Sequence, residues 1–313
     1  MPDVVVFAPA PSLRVTAEPA PDGSTEIHLH PGGQGVWAGR MARTLEAAVT
    51  LSLPLGGESG VALRALLEHE GQRVLVTGTA GPTPTVVLDH GREPGGGDAE
   101  GGRVVAQSHG ALTRHEVDEL YTRTLEAALS ADVVVLTGVE NPGTLDESIY
   151  TRLARDLRAN GPAVVADLSG AALLAAVEGG LSVLKTAHDE LVETQLCEGD
   201  EPEQLLDAAR ELQERGAEVV LVSRAGEPAL LLDAEGRAFA LRGPELTVVQ
   251  HRGAGDSMCG ALAVAVASGA DAVSAARLAT AAGALNVTRQ GLGTGHADAI
   301  RALAKRVEVR ELH

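Results

Sequence analysis

The sequence predicts an α/β fold: one αβα domain spanning residues 1–313, with a mostly parallel central sheet and strand excursions near the N-terminus. Three observations carry that expectation. Continuous apolar runs such as Val133-Val134-Val135-Leu136 and Val219-Val220-Leu221-Val222 are the pattern of strands covered by helices on both faces. Such runs alternate with helix-length segments, and no internal repeat, coiled coil or interdomain linker interrupts them. Finally, 44% of the residues are hydrophobic but only 2% aromatic, so Leu, Val and Ala must fill the core.

Val4 to Ala8 reads as a buried strand stopped by Pro9-Ala10-Pro11, at the kind of edge where open sheets bind ligands. Leu13 to Ala17 and Glu26 to His30 alternate around Pro21-Asp22-Gly23-Ser24, the pattern of a hairpin that can project as a flap. Pro31-Gly32-Gly33-Gln34-Gly35 opens a helix to about Ala48, followed by strand Val49 to Leu53, helix Gly60 to Glu70 and strand Arg73 to Thr77. A second hairpin pairs Thr85 to Asp89 with Arg103 to Gln107. Its connector, Gly91 to Gly102, reads as a flexible tip rather than a phosphate cradle, because no helix follows it directly.

From Thr113 the chain settles into βα repetition: helix to Leu129, strand Asp132 to Leu136, helix Leu145 to Ala159, strand Ala163 to Asp167, helix Ala171 to Val177 and strand Leu181 to Leu184. Helix Glu203 to Arg215, strand Glu218 to Ser223 and a meander through Ala229 to Leu232 and Ala238 to Leu241 come next. Helices Ala270 to Thr288 and His296 to Arg306 close the chain.

A net charge of −18 argues against a nucleic-acid or anionic-membrane surface, since both need basic patches. It leaves an anionic small substrate open. Cys197 and Cys259 show no metal-ligand or redox spacing and read as small buried residues. The first residues, Met1 to Phe7, carry neither a basic leader nor a long apolar segment, so the expectation is a cytoplasmic protein.

Chemistry concentrates in His251-Arg252-Gly253-Ala254-Gly255-Asp256-Ser257, which enters a small-residue helix. Glycines admit backbone conformations closed to other residues, and first-turn N–H groups have no intrahelical partner, so such a loop can hold an anion. Asp256 would repel that anion unless it accepts a proton from a hydroxyl attacking a phosphoryl group. By itself, Gly-x-Gly-Asp before a helix is equally an ordinary capped turn.

Order decides between them. Pro9-Ala10, Gly32-Gly33-Gln34-Gly35, Leu55-Gly56-Gly57-Glu58-Ser59-Gly60, Thr137-Gly138 with Pro142-Gly143, Asp167-Leu168-Ser169-Gly170, Lys185 with Glu190-Leu191, and Arg252 to Ser257 occur in sequence. In that order and spacing the chain resembles the ribokinase-like carbohydrate kinases of the PfkB family, and within it the 1-phosphofructokinase and tagatose-6-phosphate kinase branch. The resemblance implies a three-layer αβα sandwich with a small β-sheet lid from residues 13–30 and 84–107, and transfer of the ATP γ-phosphoryl group, with Mg²⁺, to a sugar or polyol hydroxyl. It implies Asp256 as the base and the N–H groups of Gly253, Ala254 and Gly255 as holders of the moving charge. It also places Lys185, Ser223, Gly226 and Gly283 with the nucleotide, Glu190 with the metal, and Ser12, Gly32, Gly33, Gln34 and Trp37 with the acceptor. Asp167 reads mainly as shaping the pocket. Exposed lid strands are a pairing liability that a second subunit can cover, so a homodimer joined through the lid is expected.

Several family positions differ. The first-strand Asp that contacts sugar falls on Ser12, Gly-Gly-Lys-Gly with a following Asn becomes Gly-Gly-Gln-Gly with Trp37, and the Arg before the first lid strand falls on Pro82. Arg14, Arg40, Arg92 and Arg103 are candidate substitutes. Trp37 can stack on a ring or anchor helix to lid. On the nucleotide side, the Asn of Asn-x-x-Glu is Ala187, and glycines after Ser223 become Ala225 and Pro228. These changes keep a second expectation open, a kinase-like ligand-binding protein with weakened catalysis and a regulatory role.

Overall fold

The computed structural model describes residues 1–90, 103–108, 111–139, 144–289 and 291–312. The Gly91 to Gly102 connector, with Arg92, and the Pro142-Gly143 pair lie outside them.

The chain begins with β1 (Asp3–Phe7), then β2 (Ser12–Pro19), β3 (Thr25–Gly32), α1 (Gln34–Thr44), β4 (Ala48–Leu55), α2 (Gly57–His69), β5 (Arg73–Gly78), β6 (Thr85–Asp89) and β7 (Arg103–Gln107). The βα run follows as α3 (Arg114–Ala128), β8 (Val133–Thr137), α4 (Ser148–Asn160), β9 (Ala163–Asp167), α5 (Gly170–Gly179), β10 (Leu181–Ala187), α6 (His188–Glu193) and α7 (Pro202–Arg215). Then come β11 (Ala217–Arg224), β12 (Glu227–Leu232), β13 (Ala238–Arg242), α8 (Ala254–Ala267), α9 (Ala272–Asn286), α10 (Ala297–Ala304) and β14 (Glu308–Leu312).

Ten strands form the large sheet in the order β14-β13-β12-β11-β10-β9-β8-β1-β4-β5, parallel from β11 to β5 and antiparallel from β11 to β14. Neighbouring residues of one strand enter opposite cores: Val4 and Val6 pack with α1, α2, α8 and α9, while Val5 and Phe7 pack with α3, α4, α5 and α7. That division makes the three layers, and it explains why the strands are apolar at every position. The core is aliphatic as expected, with Phe7 against Tyr150 edge-on as its aromatic contact.

Both N-terminal hairpins form, and the parallel pairing of β2 with β6 joins them into a four-stranded sheet, β3-β2-β6-β7. One face of this lid turns inward through Arg14, Thr16, Val86 and Leu88, all buried. The other face shows Ile27 and Leu29 to solvent.

Several boundaries depart from the sequence reading. Helix α1 ends at Thr44, not Ala48, because Glu46 takes a left-handed conformation (φ 71°) that breaks the turn. Strand β10 runs on to Ala187, and the short helix α6 follows it. The last helix stops at Ala304, and β14 adds a strand to the edge of β13. Val307 and Val309 do alternate with charged residues there, but the pattern is short and hidden by the helical pattern before it.

Candidate active site

Strand order reverses between β1 and β8, so their C-terminal ends flank the crevice where an open sheet binds ligands. Helix α1 starts over that crevice. Gly33 takes φ 113° as its N-cap, and a Cβ there would lie 2.5 Å from the Ala10 carbonyl oxygen. At Gly35 a Cβ would meet the Ala8 Cβ at 2.4 Å, so the helix reaches the strand end only because both positions are glycine. Gln34 Oε1 accepts from the Gly138 N–H at 3.1 Å. Its amide therefore ties α1 to the end of β8 and is partly committed to structure.

Helix α8 runs up to the same crevice from below. It is buried from Asp256 to Ala265, as a helix apolar on all sides must be. Gly253 caps it in the left-handed region at φ 79°, with no side-chain cap. Ala254, Gly255 and Asp256 occupy its first turn, so their N–H groups have no intrahelical acceptor by position. The glycine loop and helix start expected from the sequence form here.

Lys185, at the end of β10, projects under that loop. A Cβ on Gly255 would lie 2.6 Å from Lys185 Nζ, so glycine here is what lets the ammonium approach the turn. Asp167, its register partner on β9, receives Lys185 Nζ at 3.0 Å, with both side chains almost fully buried. Burial alone would lower the Lys185 value, but the charges of Asp167 and Glu190 more than offset it and keep the ammonium charged. Asp256 is pushed up to about 7, first by burial and then by the charge of Asp167, against the pull of Lys185 and Arg252. A carboxyl of that value, beside backbone donors, can take a proton near neutral pH.

Glu190 sits in the first turn of α6. Its Oε2 accepts from the Ala187 N–H at 2.7 Å and the Thr186 hydroxyl at 3.1 Å, and burial raises its value. One oxygen thus closes the helix start. Among the described residues no group of three or more His, Cys, Asp or Glu side chains is arranged to hold a metal.

The remaining nucleotide-side positions lie close to one strand end or inside a helix contact. Ser223 Oγ donates to the Thr186 carbonyl at 3.3 Å, and Gly226 lies in the open turn from β11 to β12. Gly283 packs α9 onto α8: a Cβ there would meet Met258 Cγ at 2.8 Å and the Ala254 carbonyl oxygen at 3.3 Å. It sits behind the anion loop as a packing glycine.

On the acceptor side, Ser12 and Pro82 line a small cavity of about 50 Å³, where the buried Ser12 hydroxyl has no hydrogen-bond partner. A Cβ on Gly32 would meet the Ser12 hydroxyl and the Arg14 stem, both within 2.8 Å. A much larger cleft, about 980 Å³, opens between the inner lid face, α1 and the loop before Gly253. Trp37 forms part of its wall although only 3% exposed. The guanidinium carbons of Arg14 and Arg252 lie 5.6 Å and 5.0 Å from the Trp37 ring centroid. Arg40 also lines this cleft, ion-paired with Glu70, whereas Arg103 is exposed on β7 near Asp89.

Sequence reasoning missed Asn286. Buried near the end of α9, it donates through Nδ2 to the Arg252 carbonyl at 2.8 Å and accepts at Oδ1 from the Gly293 N–H at 3.0 Å. A lone amide in the apolar run Ala281 to Leu285 was the available signal.

A profile of the pfkB family carbohydrate kinases matches residues 10–299. The chain belongs to that family. Similar proteins include an ATP-dependent 6-phosphofructokinase isozyme 2 from Mycobacterium tuberculosis, 31% identical over 91% of this chain and 86% of the relative. A 1-phosphofructokinase from Bacillus subtilis is 28% identical over 85% and 84%. Among solved structures, Escherichia coli phosphofructokinase-2 in complex with potassium superposes with a TM-score of 0.83 at 26% identity, covering 98% of this chain and 99% of that one. Arabidopsis thaliana ribokinase shares the fold at a TM-score of 0.73 and 20% identity, over 97% and 98%. This pfkB-family protein is a carbohydrate kinase with the ribokinase-like fold. No helix among its described residues is long and apolar enough to cross a membrane.

Proposed function

We propose that this single-domain, cytoplasmic kinase transfers the γ-phosphoryl group of ATP to a hydroxyl of a sugar or sugar phosphate, as a 1-phosphofructokinase-type enzyme with Asp256 as base. The observation that carries the reading is the buried Asp256 at the start of α8, beside the backbone donors of Gly253, Ala254 and Gly255 and above Lys185. Phosphoryl transfer needs positioning and charge stabilisation more than covalent help, and this arrangement supplies both.

Lys185 and the loop would hold the phosphoryl group, while Ser223, Gly226 and Gly283 would border the nucleotide. Mg²⁺ usually binds through one or two carboxylates, phosphate oxygens and waters, and Glu190 fits that need with its second oxygen. Bound there, the ion would neutralise charge on the nucleotide phosphates. Gly32, Gly33 and Gln34 would frame the acceptor beside Ser12 and Trp37. The proposed assembly is a homodimer through the lid.

The test is Asp256→Asn, which keeps the shape of the side chain. It is expected to fold like the wild type by circular dichroism and to lose about 10²–10⁴-fold in turnover across a panel of sugars and sugar phosphates with Mg·ATP. Equal activity of the two proteins would sink the reading. The local use of Glu190 Oε2, together with Ala187, favours one alternative, a ligand-binding protein with weakened catalysis. Turnover at an ordinary kinase rate on any acceptor of the panel removes that alternative.

A further inference from the structure

A second cleft, about 750 Å³, opens at the opposite end of α8 from Asp256. Val264 and Ala265 line it from the last turn of that helix, about 12 Å along the axis from Asp256, and none of the acceptor-side or nucleotide-side residues reaches it. Leu45 at the end of α1 and Leu278 of α9 extend its apolar wall. Three cations, Arg277, Arg301 and Lys305, stand there against one carboxylate, Glu46, in a protein of net charge −18. Two of the three are engaged: Arg301 ion-pairs with Glu46 and Asp298, and Arg277 Nη1 donates to the Val307 carbonyl at 2.8 Å. Lys305, exposed just past α10, has no ion-pair partner among the described residues. Small-molecule sites of this size are mostly apolar, with a few polar groups that fix orientation, and this cleft has that composition with one cation to spare.

We infer that the cleft binds a free amphiphilic monoanion, an apolar chain or ring system bearing one carboxylate, with the apolar body against Leu45, Val264 and Leu278 and the carboxylate on Lys305. A free ion suits it better than an anionic bilayer, because a bilayer would meet the acidic protein over a broad surface while an ion meets only the cleft. The site is separate from the one that holds Asp256, so its occupant does not compete there.

Isothermal titration calorimetry of the full chain with decanoate, decanol and acetate, without nucleotide or sugar, tests the site. Expected is saturable decanoate binding, at least about tenfold tighter than acetate because only decanoate buries a chain. Lys305→Glu should weaken decanoate by at least about fivefold and leave decanol within about twofold, since it removes the charge contact alone. Ala270→Trp, at an exposed position lining the cleft, should weaken decanoate and decanol alike by filling the space. Both variants should keep the wild-type circular dichroism spectrum. No saturable decanoate binding, acetate binding as tightly as decanoate, equal effects of Lys305→Glu on both long-chain ligands, or undiminished binding in Ala270→Trp overturns the site. So does binding that fades as protein concentration rises, the mark of a second copy in the cleft, or co-sedimentation with phosphatidylglycerol vesicles in place of decanoate binding. No arm of the experiment involves phosphoryl transfer, so its outcome is independent of the kinase reading.

Discussion

As the base proposed above, Asp256 must be ionised to accept a proton, and its surroundings hold it up to about 7. With the folded value raised, the active base is lost as pH falls through about 7 and complete above it. The expected kcat/KM profile therefore rises about tenfold per pH unit below 7 and levels off above, checked by initial rates from pH 5.5 to 9. A profile flat to pH 5.5 would show a base with an ordinary carboxylate value. The place of Asp256 at a glycine-opened helix start was legible in the sequence because the loop and the carboxyl are contiguous in the chain. Its partners were not. Lys185 was visible as a strand-end cation, but its meeting with Asp167 depends on β9 lying beside β10 in register, which no spacing along the chain displays.

Between elements, the decisive contact is α1 on α8, because the first carries Gln34 and Trp37 and the second carries Asp256. Gly260 makes it possible: a Cβ there would lie 2.3 Å from the Ala38 carbonyl oxygen and 3.1 Å from its carbon, backbone atoms that cannot swing away. Gly260→Ala should force the helices apart at a cost of about 1–3 kcal/mol, with Tm lower by roughly 2–6 °C in a thermal melt. An unchanged Tm would mean that the interface can slide. Most helices and strands could be read from periodicity, including both lid hairpins. What escaped was set by tertiary pairing: the final strand β14 exists because β13 offers an edge, and β2 meets β6 in parallel across a long stretch of intervening chain.

At the scale of the whole molecule, the lid's outer face remains to be covered. Val15 lies opposite both Leu29 and Val87, and Ile27 opposite Ala17, so these apolar side chains share one face. Ile27 is 66% exposed and Leu29 45%, an expense of apolar surface that a second copy would hide. The proposed homodimer should therefore sediment as a dimer at micromolar concentration, and Ile27→Glu should shift it to monomer. A wild-type monomer under those conditions would exclude this interface. The architecture was legible at this scale, since alternating apolar strands and helices admit few arrangements. The large cleft under the lid was not, because Arg14, Trp37 and Arg252 come from three parts of the chain and converge only in the folded structure.

Asn286 has a further consequence, one of timing. A single side-chain amide clamps the carbonyl before the anion loop and the N–H of Gly293 beyond α9. Two loops far apart in sequence are thereby joined through one side chain. The Gly293 amide proton therefore reports on that joint: its exchange with solvent deuterium reads how often its bond to Asn286 opens, with no substrate needed to read it.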